Sequence, residues 1–421
     1  MAGNKIIDLY CFEREIGKIG YDEDQKKSFF QYHPAFLKEG LYQNIFPLIF
    51  KRTAQTQVFS QFENETFRGL PPMIADSLPD MFGHIIFKTW LESNQKNSDK
   101  ISVIEQLAYV ANRGMGALSY QPAKHIPENA TINLDEITDV LKKVLDNKRS
   151  VSADQLNSQS LLNIFKIGTS AGGARPKILI SENKETAEII PGDLEYSEKF
   201  NHYLVKLSLD DDLGYNREII EYSYYLTAIT LGISMMPSRL IDQKHFATLR
   251  FDRQNGKRKH ILTATGMTGW DFKDPEFSRY ENLFELAVYL KLPHRETDEL
   301  FRRMIFNIVF CNTDDHLKNH SFIYDETSDK WNLSPAYDLT YSLNPLLNYK
   351  RTSRALSVNY KRADILLNDV LSIADKYTIK NARGIIEKTL NATDIWEQHA
   401  HELHIPGKII ESIKRDFNKL L

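Results

Sequence analysis

The run Thr313-Asp314-Asp315-His316-Leu317-Lys318-Asn319 is followed by a hairpin-like stretch and then by Ser334-Pro335-Ala336-Tyr337-Asp338. These are the residue types that phosphoryl transfer requires. A carboxylate can orient and deprotonate an attacking hydroxyl, while hard oxygen ligands from Asn and Asp suit magnesium bound to phosphates. Asp314 is the candidate base, and Asn319 and Asp338 are the candidate metal ligands. Asp315 stands one residue too close to Asn319 for the base role and is given a supporting one. Taken singly, each acidic residue also fits a helix cap or a turn. Their order, with a hairpin between Asn319 and Asp338, favours catalysis. His316 reads as a structural histidine rather than a proton carrier, because the neighbouring carboxylate already fills the base role.

A catalytic Asp, four residues, an Asn, a hairpin and a second Asp is the spacing used by protein kinases. A second segment fits that chemistry: Gly168-Thr169-Ser170-Ala171-Gly172-Gly173-Ala174-Arg175-Pro176-Lys177, leading into the strand Ile178-Leu179-Ile180. Small residues let backbone N–H groups approach phosphate oxygens closely. The segment is not a Walker A loop, because Ala174 and Arg175 stand where that motif requires Lys and Ser or Thr. By itself it reads equally as a flexible turn. Lys206 lies in the apolar strand Tyr203-Leu204-Val205-Lys206-Leu207, where a buried cation needs an anionic partner such as nucleotide phosphate or Glu221. The alternative is an exposed strand lysine. Leu249-Arg250-Phe251-Asp252-Arg253 either offers backbone groups to adenine or forms an edge strand with solvated charges.

The elements that position these residues follow from periodicity. Short β-like runs, Ile6 to Phe12, Glu15 to Tyr21 and Ser28 to Tyr32, form a hairpin-rich start. Helical spacing covers Asp80 to Leu91 and Val103 to Asn112, the latter closed by Gly114 or Gly116, and a charged helix covers Leu134 to Leu145. Strands at Lys177 to Ser181 and Tyr203 to Leu209, a helix at Glu218 to Leu231, and Phe246 to Phe251 with His260 to Thr263 complete one mixed sheet. From Tyr280 onward the pattern is mainly helical, broken by the hairpin Ser321 to Tyr324 and Trp331 to Leu333.

A chain of 421 residues exceeds one ordinary core. Hydrophobic content of 42%, charged content of 26% and a net charge of -3 describe a globular chain with no general electrostatic attraction to nucleic acid or acidic membranes. The two cysteines, Cys11 and Cys311, form no metal or disulfide framework, and no apolar run has membrane-spanning length. A cytoplasmic protein is expected.

Taken together, the sequence resembles the HipA family, the kinase toxins of bacterial toxin–antitoxin pairs. The strings that carry this are Arg113-Gly114-Met115-Gly116-Ala117-Leu118-Ser119-Tyr120-Gln121-Pro122, Gly172 to Lys177, the strand with Lys206, Arg250-Phe251-Asp252-Arg253, Thr313 to Asn319 and Pro335-Ala336-Tyr337-Asp338. The resemblance implies an α+β, protein-kinase-like two-lobed fold with an additional N-terminal β-rich subdomain. Its expected units are 1–150 for that subdomain with its helices, 151–255 for the Gly-rich lobe and 256–421 for the mainly helical lobe. It also implies ATP and magnesium as cofactors, with Asp314 as base and Asn319 and Asp338 on the metal. The ATP-binding set would be Ala171, Gly172, Gly173, Ala174, Arg175, Pro176, Lys177, Lys206, Leu249, Arg250, Phe251, His316, Asn319 and Asp338. Leu249 stands where many relatives carry a more polar residue, a change that a hinge read through backbone groups tolerates. Ser170 matches the family's autophosphorylated serine.

Implied partners are a protein substrate, in some members an aminoacyl-tRNA synthetase, and a small helix-turn-helix antitoxin that mediates DNA contact. A small-metabolite kinase and a catalytically silent nucleotide-binding component of a repressor complex are the competing readings.

Overall fold

Alternating apolar residues at the start of the chain fold as strands because one face of each is buried. The computed structural model describes residues 5–79, 81–93, 101–124, 134–146, 175–192, 197–209 and 214–421. Strands β1 (Lys5–Cys11), β2 (Arg14–Asp22), β3 (Lys27–Tyr32) and β4 (Gln57–Phe59) join β5 (Leu118–Gln121) in an antiparallel sheet of order β4-β3-β2-β1-β5. Leu9, Ile16, Ile19 and Phe30 supply its fully buried face. Helices α1 (Pro34–Glu39), α2 (Pro72–Ala75), α3 (Met81–Ser93) and α4 (Val103–Val110) accompany it. A capping box between Ser102 and Glu105 starts α4. That helix stops at Ala111, whose φ of +50° breaks it, and not at the glycines expected to close it.

The second sheet has the order β7-β6-β8-β10-β9. Its strands are β6 (Lys177–Asn183), β7 (Ile189–Pro191), β8 (Phe200–Lys206), β9 (Ser238–Ile241) and β10 (His245–Leu249). Helix α5 (Leu134–Asp146) sets Leu134, Ile137 and Leu141, with Phe87 and Leu91 of α3, into one core with Ile178, Ile180, Val205 and Ala247. Helix α6 (Arg217–Thr230), capped by the Asn216 side chain, packs on β10.

A short ribbon, β11 (Arg253–Gln254) with β12 (Lys257–Arg258), leads to β13 (Ile261–Thr263). The expectation that this strand continues the second sheet is corrected. β13 pairs with β14 (Ser321–Asp325), which pairs with β15 (Lys330–Leu333), so it is bonded to the hairpin that follows Thr313 to Asn319. Around this three-stranded sheet lie α7 (Ala264–Thr268), α8 (Tyr280–Tyr289), α9 (His294–Val309), α10 (Leu367–Lys376), α11 (Ala382–Glu402) and α12 (Gly407–Arg415).

Residues 334–366 are irregular, another departure from the mainly helical expectation. Pro335 and Pro345 cannot donate, and isolated bridges such as Met235 to Ala336 and Arg279 to Ser357 satisfy the backbone there instead.

One apolar core runs from the N-terminal sheet to the last helices and includes both Leu9 and Leu420. Its seam is also polar: Asn44 bonds Asp329 through both backbone and side chain, and Trp331 donates to the Asn44 carbonyl at 2.7 Å. The architecture is a mixed lobe with one prominent helix, a mainly helical lobe and a further N-terminal β-rich part. Among the described residues, no helix is long and apolar enough to cross a membrane.

Candidate active site

Lys206 closes β8 between buried Val205 and Leu207 and is only 6% exposed, which excludes the exposed strand lysine. A buried ammonium requires counter-charge. Glu221 of α6, 2% exposed, lies 2.5 Å from Nζ, and the Asp338 carboxylate contacts the same nitrogen. Burial alone would push the Lys206 amine down; Asp338 and Glu221 outweigh it and hold it above its ordinary value. Burial likewise acts to raise the Asp338 carboxyl, but Lys206 and then Lys177 hold it well below the usual range. Lys177, also buried, is the direct cross-strand partner of Lys206 in the β6–β8 register. Asp338 has φ +55°, a left-handed conformation that Asp tolerates better than most residues and that clusters at functional sites.

Asp314 and Asn319 arrive on the same front. Asp314 is exposed, and among the described residues its carboxylate has no side-chain partner. It does not cap a helix: the short 3₁₀ turn Leu317–Asn319 begins after His316. Asn319 Nδ2 donates to the Asp314 carbonyl at 2.8 Å, which aims the amide and leaves its oxygen as a ligand. Asp315 faces the opposite way and is 1% exposed. Tyr280 donates to it at 2.5 Å, and Arg354 pairs with the same oxygen. Asn307 donates to the Tyr280 hydroxyl at 3.0 Å, Asn312 to Asn307 at 3.0 Å, and Asn312 again to the Asp338 carbonyl at 3.1 Å. This chain of bonds ties Asp315, and with it the Thr313 to Asn319 run, to the Asp338 backbone. His316 packs its ring on Phe272 at 5.0 Å, in keeping with a structural histidine.

The segment Leu249 to Phe251 is more committed than a free hinge. The Leu249 N–H donates to the Pro237 carbonyl and the Arg250 N–H to the His202 carbonyl, so neither amide is open to a base. Phe251 stacks on Tyr337, next to Asp338, at 5.9 Å. The solvated-charge alternative is overturned. Arg250, Asp252 and Arg253 are 2%, 0% and 5% exposed, and Asp252 pairs with both arginines. Asp252 also accepts from the Gly116 N–H at 2.8 Å, while Arg253 donates to the Gly114 and Gly116 carbonyls. The two motifs, Arg113 to Pro122 and Arg250 to Arg253, thus form one clasp. The φ of +76° at Gly116 and a wall of Ile261 against it explain the glycine.

Arg175, Pro176 and Lys177 lie at the start of β6, where the Pro176 carbonyl accepts from the Leu207 N–H. Ser170, Ala171, Gly172, Gly173 and Ala174 lie outside the described residues. Lys206 and Lys177 therefore meet at Asp338, Asn319 lines the same small pocket as Asp338, and Asp314 adjoins Asn319 through its carbonyl. Hard oxygens from Asn319 and Asp338 beside two buried lysines fit a phosphate-bound divalent cation. Among the described residues no cluster of three or more His, Cys, Asp or Glu side chains could hold a metal by itself. Sequence reasoning missed Tyr280, Asn307, Asn312 and Arg354. The available signal was polar Arg303 and Asn307, one turn apart, inside the apolar stripe of α9.

Two family models match this chain: the HipA N-terminal domain over residues 7–121 and the HipA-like C-terminal domain over residues 169–397. A candidate kinase of Sinorhizobium fredii, Y4dM, is 26% identical over 175 residues, covering 40% of this chain and 41% of that protein. Among solved structures, HipA in the Shewanella oneidensis complex of HipA, HipB and operator DNA superposes with a TM-score of 0.65 at 16% identity, covering 97% of both chains. The fold is accordingly that of HipA, with its N-terminal and C-terminal domains both present.

Proposed function

We propose that this chain, which belongs to the HipA family, is an ATP- and magnesium-dependent serine/threonine protein kinase. It phosphorylates a cellular protein and itself at Ser170, and a helix-turn-helix antitoxin restrains it. The single observation that carries the reading is Lys206 joining Glu221 and Asp338, the arrangement by which kinases align a lysine against nucleotide phosphates. Bound magnesium–ATP supplies the phosphoryl group and neutralises its charge. The chain's own part is positioning and one proton: Lys206 and Lys177 offer cations, Asn319 and Asp338 offer oxygen ligands, and Asp314 receives the hydroxyl proton at its open carboxylate. A HipB-like partner is supported by the fold shared with the Shewanella oneidensis complex.

The test is labelled ATP with purified protein and a cell lysate. Wild type should label itself and a lysate protein, whereas Asp314→Asn should lose transfer and keep nucleotide affinity. Near-normal transfer by the variant removes Asp314 from the role. Nucleotide binding without any transfer by wild type supports the silent component, and transfer only to small molecules supports the metabolite kinase.

A further inference from the structure

The N-terminal subdomain reaches the catalytic segment by a route separate from the clasp at Asp252. Helix α2 ends at Asp76, a partly buried carboxylate at the seam with the helical lobe. Both of its oxygens are spent on one residue: Oδ2 accepts from the Thr263 N–H and Oδ1 from the Thr263 hydroxyl, each at 2.9 Å. That hydroxyl is also the cap of α7, accepting from the Gly266 N–H at 2.9 Å. Asp76 thus fixes the rotamer of a capping threonine, and with it the start of α7.

What α7 touches gives the contact its meaning. Ala264, its first residue, donates its N–H to the His320 carbonyl at 2.7 Å, and Thr263 pairs with Ser321 across the β13–β14 ladder. The helix packs on the Leu317–Asn319 turn that carries the amide of Asn319. The Lys318 charge lies within electrostatic reach of Asp76, and the Lys318 carbonyl accepts from the Tyr337 hydroxyl at 2.8 Å, one residue before Asp338. Gly266 leaves room for the approach, since a Cβ there would overlap the Asp76 carboxylate.

We infer that Asp76 is a positioning residue for the Asn319 turn, so that the N-terminal subdomain sets the geometry of the metal-binding side of the site. It touches no reacting atom and acts through Thr263 and α7. The inference rests on the kinase reading for its catalytic consequence, but the mechanical coupling stands apart from it. Asp76→Asn keeps one acceptor oxygen and turns the other into an amide donor, so the bond accepted from the Thr263 hydroxyl is lost, and Gly266→Ala forces the carboxylate aside without altering its chemistry. As a control, Phe30→Leu loosens the N-terminal sheet at a ring that meets Tyr32 and Phe50 and makes no hydrogen bond to Asp76, Thr263 or Gly266.

Hydrogen exchange across residues 314–321 and the magnesium concentration for half-maximal transfer are measured for all three variants and wild type. Asp76→Asn and Gly266→Ala should each speed exchange in that segment and raise the magnesium requirement about fivefold, the effect of one lost hydrogen bond. Phe30→Leu should leave both at wild-type values despite a lower melting temperature. Unchanged exchange in Asp76→Asn and Gly266→Ala, or an equal magnesium shift in Phe30→Leu, overturns the inference. If the wild-type chain transfers no phosphate, the kinase reading falls, and the exchange comparison alone still decides the coupling.

Discussion

Glu218 opens the first turn of α6 and is only 7% exposed, three residues from the Glu221 that pairs with Lys206. Burial pushes its carboxyl from an ordinary 4.5 up to about 7; Glu221 adds to the rise, and its own backbone N–H, Arg175 and Lys206 oppose it. A carboxyl with a raised folded value binds its proton more tightly folded than unfolded. Stability must therefore fall as pH climbs through 4.5 and level off above about 7. At about 1.4 kcal/mol per tenfold, ionising Glu218 in the fold costs about 1 kcal/mol at pH 5 and about 3 kcal/mol at pH 8.

Glu218→Gln removes that cost. The variant should gain little over wild type at pH 5 and melt several degrees higher at pH 8, given roughly 2–4 °C per kcal/mol for a unit of this size. Thermal unfolding followed by circular dichroism at the two pH values reads the difference directly. A gain that is the same at both pH values, or no gain at pH 8, would refute the argument that Glu218 is an uncompensated buried carboxyl.

Two further outcomes follow from the buried networks. Tyr280→Phe removes the donor to Asp315 and the acceptor of Asn307, and should lower stability by about 1–3 kcal/mol with a parallel loss of phosphoryl transfer. Wild-type melting and transfer would remove Tyr280 from the positioning chain. Burial alone would raise the Asp252 carboxyl, but Arg250 and Arg253 hold it well below the usual range, so its stabilisation is complete at neutral pH and fades progressively as pH falls below the ordinary 3.8. Asp252→Asn should cost about 3–5 kcal/mol at pH 7 by leaving two buried guanidinium groups underpaired. Denaturation at pH 7 checks this, and a variant as stable as wild type there would show the clasp to be dispensable.

The residues that carry local signals were legible. Asp314, Asn319 and Asp338 are proposed on their spacing, and Lys206 stands out as a charge inside an apolar strand, with Glu221 of the next helix as the partner the structure gives it. The N-terminal strands followed from alternation because one face of each meets the core. What spacing could not reveal was pairing at long range. Ile261 to Thr263 has the composition of any strand, and only the position of Ser321 to Ile323 decides which sheet receives it. The charges of Arg250, Asp252 and Arg253 look like a solvated edge until Gly114 and Gly116 arrive from more than a hundred residues away. Asp76 carries no signal, because an acidic residue at a helix end is common and its partner lies 187 residues downstream.

The seam between Asn44 and Asp329 bears on how the chain is made. Those two residues are 285 positions apart, and the Trp331 indole that seals the same contact comes two residues later still. At synthesis rates of about 5–20 residues per second, the N-terminal sheet, complete once β5 is made, waits roughly 10–40 seconds on the ribosome before its covering hairpin emerges. During that interval the aromatic rings of Phe12 and Tyr42 have each other but lack the Tyr324 ring that finally meets both. Until the hairpin emerges, this face of the nascent chain is open to chaperones and proteases, and a chain cut short before the hairpin lacks both its cover and Asp338.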